Sequence, residues 1–190
     1  MATLPLFPLH TVLFPGGLLP LRIFEPRYVD MVGRCMREDQ GFGVILIAAG
    51  AEVGVVAQLA NVGCSARIID FEQLPDGLLG LLCRGELRFR LLSHTTQADG
   101  LHLGEVEWLP AAAATPLAAQ HLPLVAVLRS VIPKLGKLAQ HLTPEYDNAD
   151  WVSHRFAEFL PLDSAARQSL LEMPDANERL DCIAPMVKIA

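Results

Sequence analysis

The sequence contains few charged and few aromatic residues, and the features that it lacks argue against several functional classes. Only 19% of its 190 residues are charged, and the formal net charge is −6. Proteins bind phosphate backbones through clusters of lysine and arginine, so this acidic balance argues against a nucleic-acid partner. Hydrophobic residues make up 52% of the chain, which is more than disordered segments contain. We therefore expect a folded protein.

The cysteines and histidines are too scattered for a recognisable metal site. Cys35, Cys64, Cys83 and Cys182 form no Cys-x-x-Cys pair, and the histidines show no His-Glu-x-x-His pattern. Zinc and redox sites are identified in sequences by such close spacings, so we predict neither a metal site nor a redox motif. The neighbours of the cysteines are mostly apolar, which predicts four buried free thiols.

The chain also has no motif for nucleotide hydrolysis or peptide cleavage. Gly136-Lys137 is followed by Leu138 and lacks the upstream glycine of a phosphate-binding loop. No serine lies in a Gly-x-Ser-x-Gly elbow, which would present a nucleophile. We predict no catalytic residue, no cofactor and no enzymatic activity.

Prolines interrupt the apolar amino terminus. Pro5, Pro8, Pro15 and Pro20 would break the helical core of a secretion signal, and no positively charged segment precedes them. No apolar window reaches the roughly 18 residues of a membrane-spanning helix without meeting proline or paired glycines. We expect no membrane partner and a cytoplasmic protein.

From Leu4 to Trp108, apolar runs alternate with turn-forming clusters, which is typical of short strands. Two runs flank the Pro15-Gly16 turn, and the later predicted strands are Gly43 to Ala48, Val62 to Phe71, Leu78 to Cys83, Leu87 to Ser93 and Leu101 to Trp108. One helix is predicted within this series, because Pro26 suits a first helical turn. Its apolar stripe has helical spacing and consists of Tyr28, Met31, Val32, Cys35 and Met36.

After Trp108 the spacing becomes helical, which predicts a sheet subdomain over residues 1–110 and a helical subdomain over residues 117–190. Residues 111–115 are the expected connector, and Pro133 is expected to divide the first helical segment. Asp147 or Asn148, Asp163 and Asp175 precede apolar periodic runs, and Glu178 follows the last of them at the spacing of a capping box. These side chains are the predicted helix caps.

Four segments resemble the amino-terminal substrate-binding domain of Lon proteases. They are Leu4 to Met31 with Glu25-Pro26-Arg27-Tyr28 at the helix start, Gly63 to Ile68, Arg84 to Leu91, and Leu170 to Leu180. The resemblance implies an α+β fold, in which a PUA-like antiparallel β-barrel with one inserted helix is followed by a carboxy-terminal helical bundle. A complete Lon protease adds ATPase and protease domains, for which this sequence has no room, so the resemblance implies a stand-alone module.

For function, the resemblance implies a non-catalytic module that captures exposed apolar segments of client proteins. The candidate peptide-binding residues surround the strand-to-helix corner and are Phe14, Arg22, Phe24, Glu25, Arg27 and Tyr28. An ordinary structural role is the alternative for each: the aromatic residues can fill the core, and Glu25 can favour the positive end of the helix while an arginine pairs with it.

The expected partners are unfolded or apolar polypeptide segments, together with a protease or ATPase encoded elsewhere. The apolar helical half could also support a homodimer. Two other functions stay open, a small-molecule or cryptic hydrolase pocket at the barrel mouth and, last, RNA binding. An aromatic cage for a small ligand is disfavoured because the chain has only Trp108 and Trp151, in different segments.

Overall fold

The fold divides into two units, Met1–Pro110 and Ala111–Ala190. The structure is a computed structural model, which describes residues 1–50, 56–110 and 114–188. The predicted connector lies partly outside the described residues. Within the described residues, no helix has the length and apolar character needed to cross a membrane.

Among the described residues of the first unit, seven strands form one sheet and are accompanied by a single helix. The strands are β1 (Ala2–Leu9), β2 (Leu18–Ile23), β3 (Phe42–Gly50), β4 (Val56–Leu59), β5 (Val62–Gln73), β6 (Leu79–Thr96) and β7 (His102–Trp108). Paired neighbours follow the order β1-β7-β6-β5-β3-β4, and β2 pairs with β6. β1 also pairs in parallel with β3, where Leu6 lies opposite Gly43, while the other pairings of described strands are antiparallel.

One continuous strand, β6, occupies the region where the sequence predicts two strands separated at Arg84–Glu86, so this prediction is wrong. Its first half pairs with β2 and its second half with β7. The strand continues through Gly85, where a glycine is needed because the backbone of Phe14 approaches closely. A Cβ atom at this position would lie 2.2 Å from the carbonyl oxygen of Phe14.

The helix of the sheet unit, α1 (Pro26–Glu38), begins with proline as predicted. It buries Tyr28, Met31, Val32 and Cys35 in the largest apolar core cluster of the unit. Met36, however, is 43% exposed, so its predicted place in the buried stripe is wrong. Each helical residue turns by about 100°, and Met36 lies one step beyond Cys35, past the side of the helix that faces the core.

The second unit is built from helices. They are α2 (Leu122–Val131), α3 (Ala149–Phe159), α4 (Ser164–Glu172) and α5 (Ala176–Ile183), with 3₁₀ segments at Ala119–His121, Ile132–His141 and Ala184–Met186. α2 ends directly before the 3₁₀ segment that contains Pro133, as predicted. Within that segment Gly136 departs from helical geometry, with a φ of 61°.

Side-chain caps begin three of these helices. Asn148 accepts a hydrogen bond from the amide of Asp150 (3.0 Å), and Asp163 accepts one from Ala166 (2.7 Å). Asp175 accepts from the amides of both Asn177 (2.8 Å) and Glu178 (2.9 Å). The predicted caps Asp163 and Asp175 are therefore confirmed, and Asn148 rather than Asp147 caps α3.

The cysteines are free, and three of the four are buried in the sheet unit. Burial raises the pKa of the Cys83 thiol to about 12 and also raises the pKa of Cys35. Cys182 is exposed, so the prediction of a fourth buried thiol is wrong. It lies on α5 beside Ile183, which occupies the buried face of that helix.

Candidate functional site

A hollow of about 220 Å³ lies where β1 and β2 end and α1 begins. Its lining is mostly apolar and comes from three elements that are close in the chain. The lining residues are Phe7, Pro8, Leu9, Pro20, Leu21, Arg22, Ile23, Phe24, Glu25 and Tyr28. We call this the corner hollow.

Phe24 stands exposed beside the corner hollow, with 60% of its surface accessible to solvent. It follows the last residue of β2 and precedes Glu25, the residue before α1. Full burial of a phenylalanine side chain contributes roughly 1.5–3 kcal/mol to folding, and this residue forgoes much of that gain. An exposed aromatic ring next to an apolar hollow is therefore a candidate contact for a bound molecule.

A stacked pair of aromatic rings forms the buried side of the corner hollow. Tyr28 is only 4% exposed, and its ring centre lies 4.0 Å from that of Phe7 at an interplanar angle of 24°. The stack joins α1 to β1. Tyr28 therefore supports the hollow and offers little surface of its own.

Glu25 and Arg27 pair with each other at the start of α1, 2.8 Å apart. Glu25 makes no side-chain cap to the helix. Arg27 also donates to the carbonyl oxygen of Gly100 (2.7 Å), and its guanidinium lies 4.7 Å from the centre of the Tyr28 ring. These contacts correspond to the structural alternative, in which Glu25 pairs with an arginine. Arg27 thus joins the helix start to the turn before β7, and it does not line the corner hollow.

Arg22, on the rim of the corner hollow, forms an ion pair with Asp76. Asp76 lies in the turn before β6, far along the chain, so no local pattern in the sequence indicated this partner. Both rim charges, Arg22 and Glu25, are therefore neutralised by residues of the protein itself. The corner hollow offers a bound molecule an apolar surface with no uncompensated rim charge.

The predicted site is partly corrected by this geometry. Arg22, Phe24, Glu25 and Tyr28 line the corner hollow, whereas Phe14 is fully buried and cannot contact a bound molecule. Phe14 lies inside because the chain there packs closely against β6, where a Cβ atom at Gly85 would lie 2.2 Å from the carbonyl oxygen of Phe14. The residues that sequence reasoning missed are Phe7, Pro8 and Leu9 of β1 and Pro20, Leu21 and Ile23 of β2. Their only signal was membership of the apolar amino-terminal runs.

A second hollow of about 200 Å³ lies between the end of α1 and β5. It contains another exposed aromatic side chain, Phe71, at 56%. Its walls carry more charge, because Arg67 pairs there with Asp39 (2.7 Å) and with Glu86 (2.8 Å). This hollow provides an internal comparison for the corner hollow.

The helical unit, by contrast, keeps charged side chains in its interior. Arg179 is fully buried and forms an ion pair with Asp150. It also donates to the Ser153 hydroxyl (2.9 Å) and to the Met173 carbonyl oxygen (2.6 Å). These bonds connect α5 with α3 and with the segment that follows α4.

A second buried ionic group lies at the end of α3. Arg155 is fully buried and pairs with Glu158 (3.1 Å), while Arg167 donates to the backbone carbonyl oxygen of Glu158 (3.3 Å). Burial raises the pKa of Glu158 to about 7, against the opposing effect of the two arginines. Among the described residues, no group of three or more His, Cys, Asp and Glu side chains could hold a metal ion.

The sequence pattern of the family described as the ATP-dependent protease La (LON) substrate-binding domain matches residues 3–188. The chain belongs to this Lon substrate-binding domain family.

Curated relatives are Lon proteases that are much longer than this chain. Lon protease 2 of Myxococcus xanthus is 25% identical, over 97% of this chain but 23% of its own length. The Lon protease of Escherichia coli K12 is 27% identical, over 97% of this chain and 24% of its own length. The chain thus spans less than a quarter of either protein.

Solved structures match over nearly the whole chain. The Lon N-terminal domain protein from Xanthomonas campestris is 37% identical with a TM-score of 0.82, covering 99% of this chain and 100% of that one. The N-terminal domain of the Mycobacterium avium complex Lon protease has a TM-score of 0.67 at 17% identity, covering 97% of each chain. The second likeness concerns the fold alone.

Proposed function

We propose that this protein is a non-catalytic module that captures exposed apolar segments of client polypeptides at the corner hollow. The observation that carries the proposal is the 60% exposure of Phe24 beside an apolar hollow. Membership of a substrate-binding domain family supports it. The proposed contact residues are Arg22, Phe24 and Glu25, with Tyr28 and Arg27 as supports and Phe14 removed.

The expected affinity is modest. A client side chain that covers Phe24 removes on the order of 100 Å² of apolar surface from water, which contributes roughly 2–3 kcal/mol. The rim charges have internal partners, so the hollow selects against charged segments rather than for a particular sequence. Such a site binds many apolar segments weakly. This suits recognition of unfolded clients, which expose apolar segments that are buried in their folded state.

We also propose that captured clients pass to an ATP-dependent protease. The named relatives are Lon proteases, and the segment that matches is a minor part of their length. A protease or ATPase encoded elsewhere would serve as the partner, and a homodimer stays a candidate assembly. This step is separate from capture and needs its own test, co-purification with a Lon-type protease.

For the fold, we propose the finer description of a PUA-like barrel with a helical bundle. Support for the barrel comes from β1, which pairs with β7 along one edge and with β3 along the other. Such pairing closes the path β1-β7-β6-β5-β3 upon itself. Support for the bundle comes from the contacts of α3 with α5 through Arg179.

Capture is tested by fluorescence anisotropy of a labelled, permanently unfolded polypeptide titrated with the protein. We expect saturable binding to this probe, none to a folded control protein, and no cleavage by intact mass. Phe24→Ala is expected to weaken binding about tenfold, equivalent to about 1.4 kcal/mol. Phe71→Ala is the matched control, because Phe71 is similarly exposed at 56% but lies at the other hollow.

Equal affinity of the wild-type protein and Phe24→Ala, with circular dichroism unchanged, would contradict this site.

A small-molecule or hydrolase pocket is the alternative function. The corner hollow, at about 220 Å³, is smaller than the roughly 300–1,000 Å³ of typical ligand pockets. Its size therefore favours a surface that receives one side chain of a longer molecule.

A further inference from the structure

The outer edge of β2 has no partner among the strands that the structure describes. Among the described strands β2 pairs only with β6, so one row of its backbone groups has no strand beside it. This edge borders the corner hollow, because Pro20, Leu21, Arg22 and Ile23 of β2 line it. The open edge and the hollow therefore form one continuous surface.

The pattern of hydrogen bonds identifies which groups of β2 face outward. Gly85 donates to the carbonyl oxygen of Gly17 (2.9 Å), so Gly85 of β6 faces β2. In an antiparallel ladder the backbone amide and carbonyl groups of successive residues point to opposite sides of the strand. Those of residues 83, 81 and 79 of β6 therefore also point toward β2. Their partners are Leu19, Leu21 and Ile23. The amides and carbonyls of residues 18, 20 and 22 consequently point away from β6.

Proline at position 20 fits this assignment, because proline has no amide hydrogen to give to a ladder and occurs on outer edges of sheets. The outer edge therefore offers carbonyl oxygens at Leu18, Pro20 and Arg22, but amide donors only at Leu18 and Arg22. An edge with one missing donor resists pairing with an arbitrary strand. It still offers five backbone groups over a strand of six residues.

We propose that the client segment binds as an additional β-strand along the outer edge of β2. This inference rests on the proposed function and specifies its mode. The occupant is an uncharged apolar segment in extended conformation, because the rim charges Arg22 and Glu25 are already paired with Asp76 and Arg27. Alternate side chains of an added strand lie on one face of the sheet, so every second one can reach the corner hollow.

The first experiment tests backbone pairing from the side of the client. The probe is a fluorescein-labelled ten-residue peptide of alternating valine and threonine, compared with one version N-methylated at every valine and another at every threonine. In an added strand only one of these two sets of amides faces β2. We expect one methylated peptide to lose binding at least tenfold and the other to bind like the parent peptide.

The second experiment changes the edge of the protein. Pro20→Ala restores an outward amide, and one additional hydrogen bond of about 1 kcal/mol should tighten binding about fivefold. Leu18→Pro removes an outward amide without touching the pairs that face β6, and should weaken binding by a similar factor. Pro5→Ala is the matched control in β1, and it should leave the affinity unchanged. If Leu18→Pro does not fold, Pro20→Ala alone decides.

The outcomes separate the two proposals. Failure of the unmethylated peptide and of the unfolded polypeptide to bind overturns the proposed function. Binding that is unaffected by methylation, or equally weakened by both methylation patterns, overturns strand addition and leaves capture at the hollow in place. A dimer in sedimentation of the protein alone that Pro20→Ala stabilises would identify a second copy as the occupant, and would also overturn the proposal.

Discussion

The sheet unit and the helical unit differ in how deeply they bury arginine side chains. In the sheet unit the core clusters are apolar, and the ion pairs of Arg22 and Arg67 lie at the surface. Arg27 and Arg88 of this unit are largely buried but keep some exposure to solvent. In the helical unit Arg155 and Arg179 are fully buried, and Arg179 connects α5 with α3. Apolar packing and backbone ladders thus hold most of the first unit. Buried ionic groups contribute to the cohesion of the second.

The largest effect should come from breaking the buried ionic group at Arg179. Arg179→Leu leaves the Asp150 carboxylate without its cation in the interior, which should lower the free energy of unfolding by about 3–5 kcal/mol. Urea unfolding followed by Trp151 fluorescence, in a Trp108→Phe background, measures the helical unit. Arg37→Leu, an exposed change on α1 in the sheet unit, should cost less than about 0.5 kcal/mol when the sheet unit is followed by Trp108 fluorescence in a Trp151→Phe background. Similar costs for both would contradict the contrast between the units.

Glu158 should make the stability of the helical unit depend on pH. Burial raises its folded pKa from 4.5 to about 7, so between these values the folded state binds more protons than the unfolded state. The free energy of unfolding should therefore fall as pH rises from 4.5 to 7, by on the order of 3 kcal/mol, and then level off. Glu158→Gln should remove this slope in thermal melts followed by Trp151. A slope that persists in Glu158→Gln would assign it to another group.

A smaller effect is expected from the close backbone packing in the sheet unit. Gly85→Ala places a Cβ 2.2 Å from the Phe14 carbonyl oxygen, which should cost about 1–3 kcal/mol in urea unfolding. Gly80→Ala in the same strand is the control, because its nearest neighbour is the movable end of the Leu74 side chain at 3.0 Å. We expect a change within about 1 kcal/mol there. Equal costs would show that the close approach at Gly85 is unimportant.

The features that sequence predicted well are those fixed by neighbours in the chain. The caps Asn148, Asp163 and Asp175 were predictable because each bonds to amides within three residues. The pairing of Glu25 with Arg27 was predictable for the same reason. Local chemistry thus determined the helix starts and part of the corner hollow.

The features that sequence missed depend on contacts distant in the chain. The sequence predicted one strand to Cys83 and another from Leu87, but β6 runs through both, and Gly85 between them accommodates the approach of Phe14. The burial of Phe14 and the contribution of β1 to the corner hollow likewise follow from tertiary packing. Met36 was misplaced because spacing defines a helical stripe less sharply at its margins than at its centre. Cys182 was misplaced because apolar neighbours in the chain do not determine which face of a helix a residue occupies.

The strand order has a consequence for synthesis of the protein. β2 (Leu18–Ile23) is synthesised well before its partner in the ladder, β6, which begins at Leu79. β1 receives its antiparallel partner β7 only when residues 102–106 have been made. During synthesis of residues 24–78 β2 lacks β6, and during synthesis of residues 10–101 β1 lacks β7. In that interval these apolar strands resemble the exposed segments that the finished domain is proposed to capture. The nascent chain is therefore itself a potential client of the mature protein.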